Sequence, residues 1–145
     1  MGGQRFYKSE GGFSEYLYRH VGENLSINGL NVRTIEYMNT KDHHEGLPIY
    51  SNTSDVYLKI KRDSKNCEIE QARIYKNRHA CMDFDWGHDH IKGSKYVEGK
   101  VHVHFYELKD GKYVKNRKKV RFMNNEEIKL YGDILKKVAP NVKFR

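Results

Sequence analysis

Alternation of apolar and polar residues with a period of two governs the central part of this chain and restricts its fold more than any other feature. In the clearest case, Val56, Leu58 and Ile60 alternate with tyrosine and lysine. Successive side chains of a β-strand point to opposite faces of its sheet, so this pattern predicts strands with one buried face. Strands are predicted in six segments: 32–38, 55–61, 68–76, 79–86, 100–108 and 113–122.

The connections between these segments favour antiparallel pairing. A polar turn sequence separates the second segment from the third, and Asp110-Gly111 separates the last two. An Asp-Gly pair between two alternating segments is a strong hairpin signal. We therefore expect an antiparallel sheet of four to six strands.

The two ends of the chain predict helices instead. Near the C-terminus, Asn124 or Asn125 can cap a helix that starts with two glutamates and that Pro140 ends. Its apolar residues recur at intervals of three and four, which places them on one helix face: Ile128, Tyr131, Leu135 and Val138. A shorter stripe at 13–20 predicts a short N-terminal helix, and residues 1–12 are expected to form a flexible arm. The predicted fold class is α+β, with a single domain over 1–145 and the C-terminal helix packed on one face of the sheet.

Composition limits the classes of partner and compartment. The chain has 145 residues, and Lys and Arg exceed Asp and Glu by 27 to 19, which gives a formal net charge of +8. Such a charge favours a polyanionic partner, most often nucleic acid. No apolar run approaches the ~20 residues that span a bilayer, and no signal peptide is recognisable. We expect a cytoplasmic protein that does not bind membranes; its oligomeric state stays open.

Two aspartates and two spaced pairs of histidines are concentrated in the stretch 83–104. These six residues are the candidate catalytic set: Asp83, Asp85, His88, His90, His102 and His104. Strand parity places the two aspartates opposite the apolar residues of their own segment, and it does the same for the last two histidines. If the two segments are neighbours in one sheet, the aspartates and histidines share its polar face.

Three interpretations of this face remain open at the level of sequence. In the first, His88, His90, His102 and His104 supply ligands to a divalent metal such as zinc, because alternate side chains on a strand reach one ion together. In the second, no cofactor is needed, and the histidines act as general acid and general base in cleaving RNA through its 2′-hydroxyl. In the third, the face is an ordinary solvated sheet surface.

Basic residues near the histidine segment are candidates for binding nucleic acid. The set comprises Arg73, Lys100, Lys115, Arg117, Lys118, Lys119 and Arg121. Most of them lie in the last predicted strand, which a tight turn connects to the histidine segment, so phosphate contacts are expected there. The alternative is a charged edge strand, where lysine discourages aggregation. Tyr106, Tyr113 and Phe122 are candidates to stack nucleic-acid bases.

The stretch 47–107 resembles the C-terminal domain of polymorphic-toxin and prophage-borne proteins. The resemblance rests on four segments: LPIYSNTSDVYLKI, EQARIYKN, MDFDWGHDH and HVHFYE. In such proteins an Arg-x-Tyr strand precedes an Asp-x-Asp-aromatic segment, a histidine cluster and a closing His-x-His-aromatic. The corresponding residues here are Arg73, Tyr75, Asp83, Asp85, Trp86, His88, His90, His102, His104 and Tyr106. Because many members of these toxin sets are nucleases, the resemblance implies a nucleic-acid-cleaving protein.

These observations lead to three functional hypotheses. The first is a small toxin-type or phage-borne nuclease, acting on RNA rather than DNA, for which an immunity protein is a conceivable partner. The second is a non-enzymatic phage or mobile-element protein that binds nucleic acid or inhibits a host defence nucleoprotein complex. The third is a structural component stabilised by metal. A serine hydrolase or nucleotide kinase is disfavoured, because nucleophile-elbow and phosphate-loop motifs are missing from the sequence.

Overall fold

A computed structural model describes residues 7–9, 16–37, 47–61, 65–87 and 95–145. Within these residues the chain forms one eight-stranded sheet, whose strands lie side by side in chain order, and one helix. The strands are β1 (Tyr7–Ser9), β2 (Tyr16–Ile27), β3 (Leu30–Tyr37), β4 (Val56–Ile60), β5 (Ile69–Lys76), β6 (His79–Asp85), β7 (His102–Lys109) and β8 (Lys112–Phe122). The helix is α1 (Asn125–Val138).

The sheet is mainly antiparallel, as predicted. β3 and β4 pair in parallel, with Val32 opposite Val56, and every other neighbouring pair is antiparallel. The six predicted strands correspond to β3 through β8. The connections predicted after β4 and at Asp110-Gly111 join antiparallel neighbours, and the second is a two-residue turn between β7 and β8.

The N-terminal part of the sheet was predicted wrongly. The described sheet has eight strands instead of four to six, because β1 and β2 extend it. Tyr16–His20, expected in a short helix, lie in β2, where Tyr18 pairs with Tyr37 and His20 with Ile35. A helix of eight residues is marginal without strong packing, whereas a strand beside β3 gains a ladder of hydrogen bonds. Tyr7–Ser9, expected in a flexible arm, pair with β2, and the rest of 1–12 lies outside the described residues.

The helix packs on one face of the sheet and forms the main core with it. Asn124 caps the helix with a capping box: its side chain accepts from Glu127 N at 2.8 Å, and the Glu127 carboxylate accepts from Asn124 N at 2.9 Å. Tyr131, Ile134 and Leu135 are buried against the apolar side chains of the sheet. This face carries the alternating apolar residues of the predicted strands, including Val56, Leu58, Met82, Phe84, Trp86, Val101 and Val103.

A second buried cluster lies on the opposite face of the sheet. It is rich in tyrosine and consists of Tyr18, Ile35, Tyr37, Leu47, Tyr57, Tyr75 and Ala80. Tyr57 and Tyr75 meet edge to face, with ring centroids 5.3 Å apart. Tyrosine can line a core because its ring is apolar while its hydroxyl needs one polar partner. The sheet is therefore covered on parts of both faces.

Candidate functional site

Two polar rows cross strands β5, β6 and β7 on the face that is opposite to the helix. In one row Arg73 pairs with Asp83 and Asp83 with His104; in the next row Asp85 lies between Gln71 and His102. The apolar partners in the same strands, such as Phe84 and Val103, lie in the core on the helix side. The predicted convergence of the two aspartates with His102 and His104 is therefore present in the structure.

This part of the sheet is not solvated. The exposed fraction is 0% for Asp83, 4% for Asp85, 0% for His102 and 3% for His104. The interpretation of these four residues as an ordinary solvated surface is wrong. Burying ionisable side chains carries a large desolvation penalty unless they have charged or hydrogen-bonded partners. The partners of these residues therefore define what the site can do.

Asp83 is the acceptor at the centre of a buried ion-pair network. Arg73 donates from Nε to Oδ1 at 2.6 Å and from Nη2 to Oδ2 at 3.0 Å. Tyr106 donates its hydroxyl to Oδ2 at 2.7 Å, and Lys115 Nζ lies 3.1 Å from the same oxygen. A carboxylate with this number of donors is held in its ionised form and in one orientation.

Arg73 has no donor left for a ligand in this arrangement. A guanidinium has five N–H groups. Besides the two bonds to Asp83, its Nη2 donates to the Tyr106 hydroxyl and its Nη1 donates to the carbonyl oxygens of Leu47 and Pro48. All five N–H groups are thus directed at protein acceptors, and the geometry favours a structural role. The predicted phosphate contact of Arg73 stays a prediction.

Asp85, His102 and His104 form a second, tighter cluster that could hold a metal ion. One ligand atom from each of the three side chains lies within 4.8 Å of the others. His104 Nε2 is 3.2 Å from Asp85 Oδ2, and the two imidazole rings meet nearly edge to face with centroids 5.0 Å apart. His102 Nδ1 lies 3.4 Å from the carbonyl oxygen of Lys100, a contact that orients the ring.

The two aspartates differ in pKa although they are only two residues apart. For Asp83, burial alone would raise the pKa, but the charges of Arg73 and Lys115 outweigh it and hold the pKa well below its usual range. For Asp85, burial and the neighbouring Asp83 charge raise the pKa to about 7. A pair of carboxyl groups whose environments separate their pKa values is typical of acid–base sites. Asp83 is the fixed anion, and Asp85 is the group that can exchange a proton or bind a cation near neutral pH.

Some predicted site residues lie outside this cluster or outside the described residues. His88 and His90 fall in 88–94, which the structure does not describe, so their participation stays a prediction. Lys100 precedes β7 and pairs with Lys143 near the C-terminus. Arg121 forms a bidentate ion pair with Glu127, at 2.7 and 2.8 Å, and its guanidinium lies over the Phe105 ring. Arg121 thus connects β8 to the start of the helix.

An irregularity in β8 exposes the most basic part of the chain. The register with β7 moves from His104 opposite Val120 to Phe105 opposite Asn116, so residues 117–119 have no partner in the ladder. Asn116 Oδ1 accepts from Lys118 N at 3.0 Å and closes the bulge. The three residues, Arg117, Lys118 and Lys119, are exposed. We call them the basic bulge.

A cavity of about 670 Å³ lies beside the basic bulge. Its lining includes Tyr106, Lys118, Lys119 and Arg121. Tyr106 links the cavity to the buried ion-pair network, because the residue lines the cavity and its hydroxyl donates to Asp83. The bulge and the cavity therefore put exposed positive charge next to the buried aspartate–histidine rows.

Sequence reasoning missed two contributors to this site. Lys115 was expected at phosphate and instead contacts Asp83 Oδ2, and Tyr106 was considered as a base-stacking residue and as part of the resemblance but not as a partner of Asp83. A signal was available, since Tyr106 shares the parity of His104 and Lys115 pairs with Tyr106 across the predicted hairpin. The segment 47–51, which supplies two carbonyls to Arg73, carried no such signal.

Comparisons of the chain with models of protein families, with curated proteins and with solved structures found no match. In the part of the chain that the structure describes, no helix has the length and apolar character needed to cross a membrane. The site must therefore be interpreted from its own chemistry.

Proposed function

We propose that this protein is a small nuclease that acts on RNA and uses a divalent metal such as zinc at Asp85, His102 and His104. The observation that carries the proposal is the convergence of these three side chains, with ligand atoms within 4.8 Å of one another. Two imidazoles and one carboxylate are ligands that zinc and related metals prefer, and three protein ligands leave a fourth position open.

One ligand-to-ligand distance in the cluster is compatible with a shared metal ion. At bond lengths of about 2.0–2.1 Å, the ligand atoms of a tetrahedral site lie roughly 3.3–3.4 Å apart. The 3.2 Å between His104 Nε2 and Asp85 Oδ2 is close to that value. A metal bound there would supply Lewis acidity and lower the pKa of a coordinated water.

The other residues of the site position these ligands and neutralise charge. Arg73 and Lys115 compensate Asp83, so the remaining carboxylate, Asp85, is free of an arginine partner among the described hydrogen bonds. The network also fixes β6 against β5 and β7, which holds Asp85 opposite His102. Rigid support of this kind keeps ligands within the tolerance that a metal site needs.

The basic bulge supports a nucleic-acid substrate. Arg117, Lys118 and Lys119 are exposed, and Lys118 and Lys119 line the cavity that Tyr106 shares with the buried network. Cations placed in this way bind the phosphate backbone of nucleic acids. We propose RNA over DNA because its 2′-hydroxyl is an internal nucleophile, which a metal held by Asp85, His102 and His104 would help to deprotonate as a Lewis acid.

The test combines metal analysis with a cleavage assay on labelled RNA. Purified protein should retain about one equivalent of a divalent metal, and His102→Ala and His104→Ala should each lower the cleavage rate by about 100-fold or more. Leu130→Ala, an exposed change on the helix, is the control and should cleave like the wild type. Circular dichroism must show that the histidine variants are folded. Folded histidine variants with full activity would refute the proposed site.

The burial of the site favours one alternative, a protein that binds nucleic acid or a nucleoprotein complex without cleaving it. At exposed fractions of 0–4%, the aspartates and histidines would then have only a structural role. Under this alternative, binding is sensitive to salt and disappears when Lys118 and Lys119 are changed to glutamate, while no variant changes a cleavage rate. If these residues held a metal with a structural role alone, a chelator would lower the melting temperature and leave nucleic-acid binding unchanged.

A further inference from the structure

Three aromatic rings form a cluster at one end of the sheet, near the β5–β6 and β7–β8 turns. The His79 and Tyr113 rings are stacked, with centroids 3.8 Å apart and an angle of 9° between their planes. Tyr50 meets Tyr113 edge to face at 6.3 Å. Tyr50 is 49% exposed although its ring also packs on Tyr113. We call these three residues the aromatic cluster.

The backbone that carries Tyr50 is fixed on the sheet. Tyr50 forms a β-bridge with His79, Ser51 N donates to the carbonyl of Arg78 at 3.0 Å, and Ala80 N donates to the carbonyl of Ile49 at 2.7 Å. The preceding residues accept from Arg73, as described above. An exposed ring on a fixed backbone loses little conformational entropy when a ligand binds to it.

We propose that the aromatic cluster binds an unpaired base of a single-stranded nucleic acid, which stacks on the exposed ring of Tyr50. Base–aromatic stacking is the usual way in which proteins hold single strands, and it tolerates any base. A double helix hides the faces of its bases, so the cluster selects single strands. This inference names the substrate class of the proposed nuclease and rests on that function only for the cleavage step.

The charges around the cluster match this ligand. Four cations at the two turns are exposed: Lys76, Arg78, Lys109 and Lys112. Arg78 and Lys112 each precede a ring residue in the chain, and Lys76 pairs with His79. Asp110 is the one acidic residue in these turns, 76–79 and 109–112. Stacking rings surrounded by cations are typical of a site for single strands, where phosphates and bases are bound together.

The position of the cluster relates it to the buried site. Tyr113 is two residues from Lys115 on β8, a separation of about 7 Å along a strand. Lys115 contacts Asp83, which lies in the row of His104. A strand of nucleic acid whose base stacks at Tyr50 could therefore continue along β8 toward the proposed site and the basic bulge.

A protein partner is the competing occupant, because Leu108, which is 62% exposed, pairs with Tyr113 and extends the apolar surface. The excess of cations at the two turns favours nucleic acid over a protein of ordinary charge. The protein partner could be a second copy of this chain. The test therefore includes a measurement of self-association.

The test is fluorescence anisotropy with labelled 12-nucleotide oligouridine, as RNA and as DNA, and with a duplex of the same length. The protein is kept in EDTA so that no metal-dependent cleavage occurs. We expect Tyr50→Ala to weaken binding of the single strands by about 5- to 100-fold. Tyr50→Phe, which keeps the ring, and Leu130→Ala, an exposed change elsewhere, should stay within about two-fold of the wild type on the scale of ordinary surface changes.

Each outcome decides the inference. An unchanged affinity in Tyr50→Ala, an equal loss on the duplex, or undetectable binding of single strands by the wild type would overturn it. A wild-type dimer in sedimentation that Tyr50→Ala dissociates would overturn it in favour of a protein interface. A chain that shows the expected binding but never cleaves would keep this inference and remove the nuclease proposal. If the protein cleaves RNA but Tyr50→Ala does not change binding, the nuclease proposal stands and this inference is removed.

Discussion

Replacing Asp83 with alanine would leave the Arg73 guanidinium buried without its counterion. The exposed fractions of the Arg73 and Asp83 side chains are 4% and 0%. Two N–H groups of Arg73, the Tyr106 hydroxyl and the Lys115 ammonium would all lose their acceptor. Removing one partner of a buried ion pair costs about 3–5 kcal/mol, because the other charge stays desolvated. We expect a decrease of that size in the free energy of unfolding.

Urea denaturation followed by circular dichroism measures this change directly. For a domain of this length, about 3–5 kcal/mol corresponds to a fall in the melting temperature of roughly 6–20 °C. Tyr106→Phe removes the hydrogen bond to Asp83 and the acceptor of one Arg73 N–H but keeps the ion pair, so it should cost less, about 1–3 kcal/mol. A loss below about 1 kcal/mol in Asp83→Ala would refute the reasoning, since it would mean that Arg73 finds water or another acceptor.

The double variant Arg73→Met, Asp83→Leu separates the pair energy from the cost of the orphaned charge. Apolar replacements of similar volume can be neutral or stabilising at a buried ion pair. We therefore expect the double variant to be more stable than Asp83→Ala, and a double-mutant cycle quantifies the coupling. If the double variant were the less stable of the two, the unpaired guanidinium would not be the main cost; the loss would come from packing or from the other groups left without a partner, which are the Tyr106 hydroxyl, the Lys115 ammonium and the Leu47 and Pro48 carbonyls.

Two further predictions concern the helix start and a close backbone approach. Burial alone would raise the pKa of Glu127, but its bonds to Arg121 and to the N-cap backbone lower it below the ordinary value of 4.5. The ionised Glu127 carboxylate thus contributes its full stabilisation above that value, and the contribution is lost as the pH falls through the lower folded-state pKa. The difference in free energy of unfolding between wild type and Glu127→Gln, measured in urea, should therefore shrink from pH 7 to pH 3. A difference that stays constant would contradict the ion pair. The substitution Gly87→Ala would place its Cβ 2.4 Å from the Cβ of Glu70, which is a steric clash. The melting temperature should therefore fall by an amount equivalent to about 1–3 kcal/mol. An unchanged melting temperature would show that the strand ends shift freely.

The strands and the polar rows were predictable because they depend on local periodicity. The alternation of Val101, Val103 and Phe105 with His102 and His104 locates β7, and the same parity brings Asp83 and Asp85 to the side of the histidines. Parity is a property of the backbone and does not depend on distant contacts. For this reason the convergence of the two strands could be anticipated from the sequence.

The burial of the site could not be anticipated in the same way. Tyrosine has an apolar ring and a polar hydroxyl, so residues such as Tyr57 and Tyr75 are equally compatible with a surface and with a core. Their role depends on the packing of Tyr18 and Tyr37 from β2 and β3, which are distant in sequence. The wrong prediction of a helix at 13–20 hid β2 and, with it, part of this second layer.

The different roles of Asp83 and Asp85 follow from the residues opposite them in β5. Both have the same parity in one strand, but Asp83 lies opposite Arg73 and Asp85 lies opposite Gln71. Arg73 keeps Asp83 ionised and hydrogen-bonded. The neutral Gln71 gives Asp85 no compensating charge from the opposite position in β5. Burial and the nearby Asp83 anion both raise the pKa of Asp85, so this carboxyl takes a proton at a higher pH than Asp83 does. The arginine opposite Asp83 and the glutamine opposite Asp85 thus help to separate the pKa values of two carboxyl groups that share one strand face.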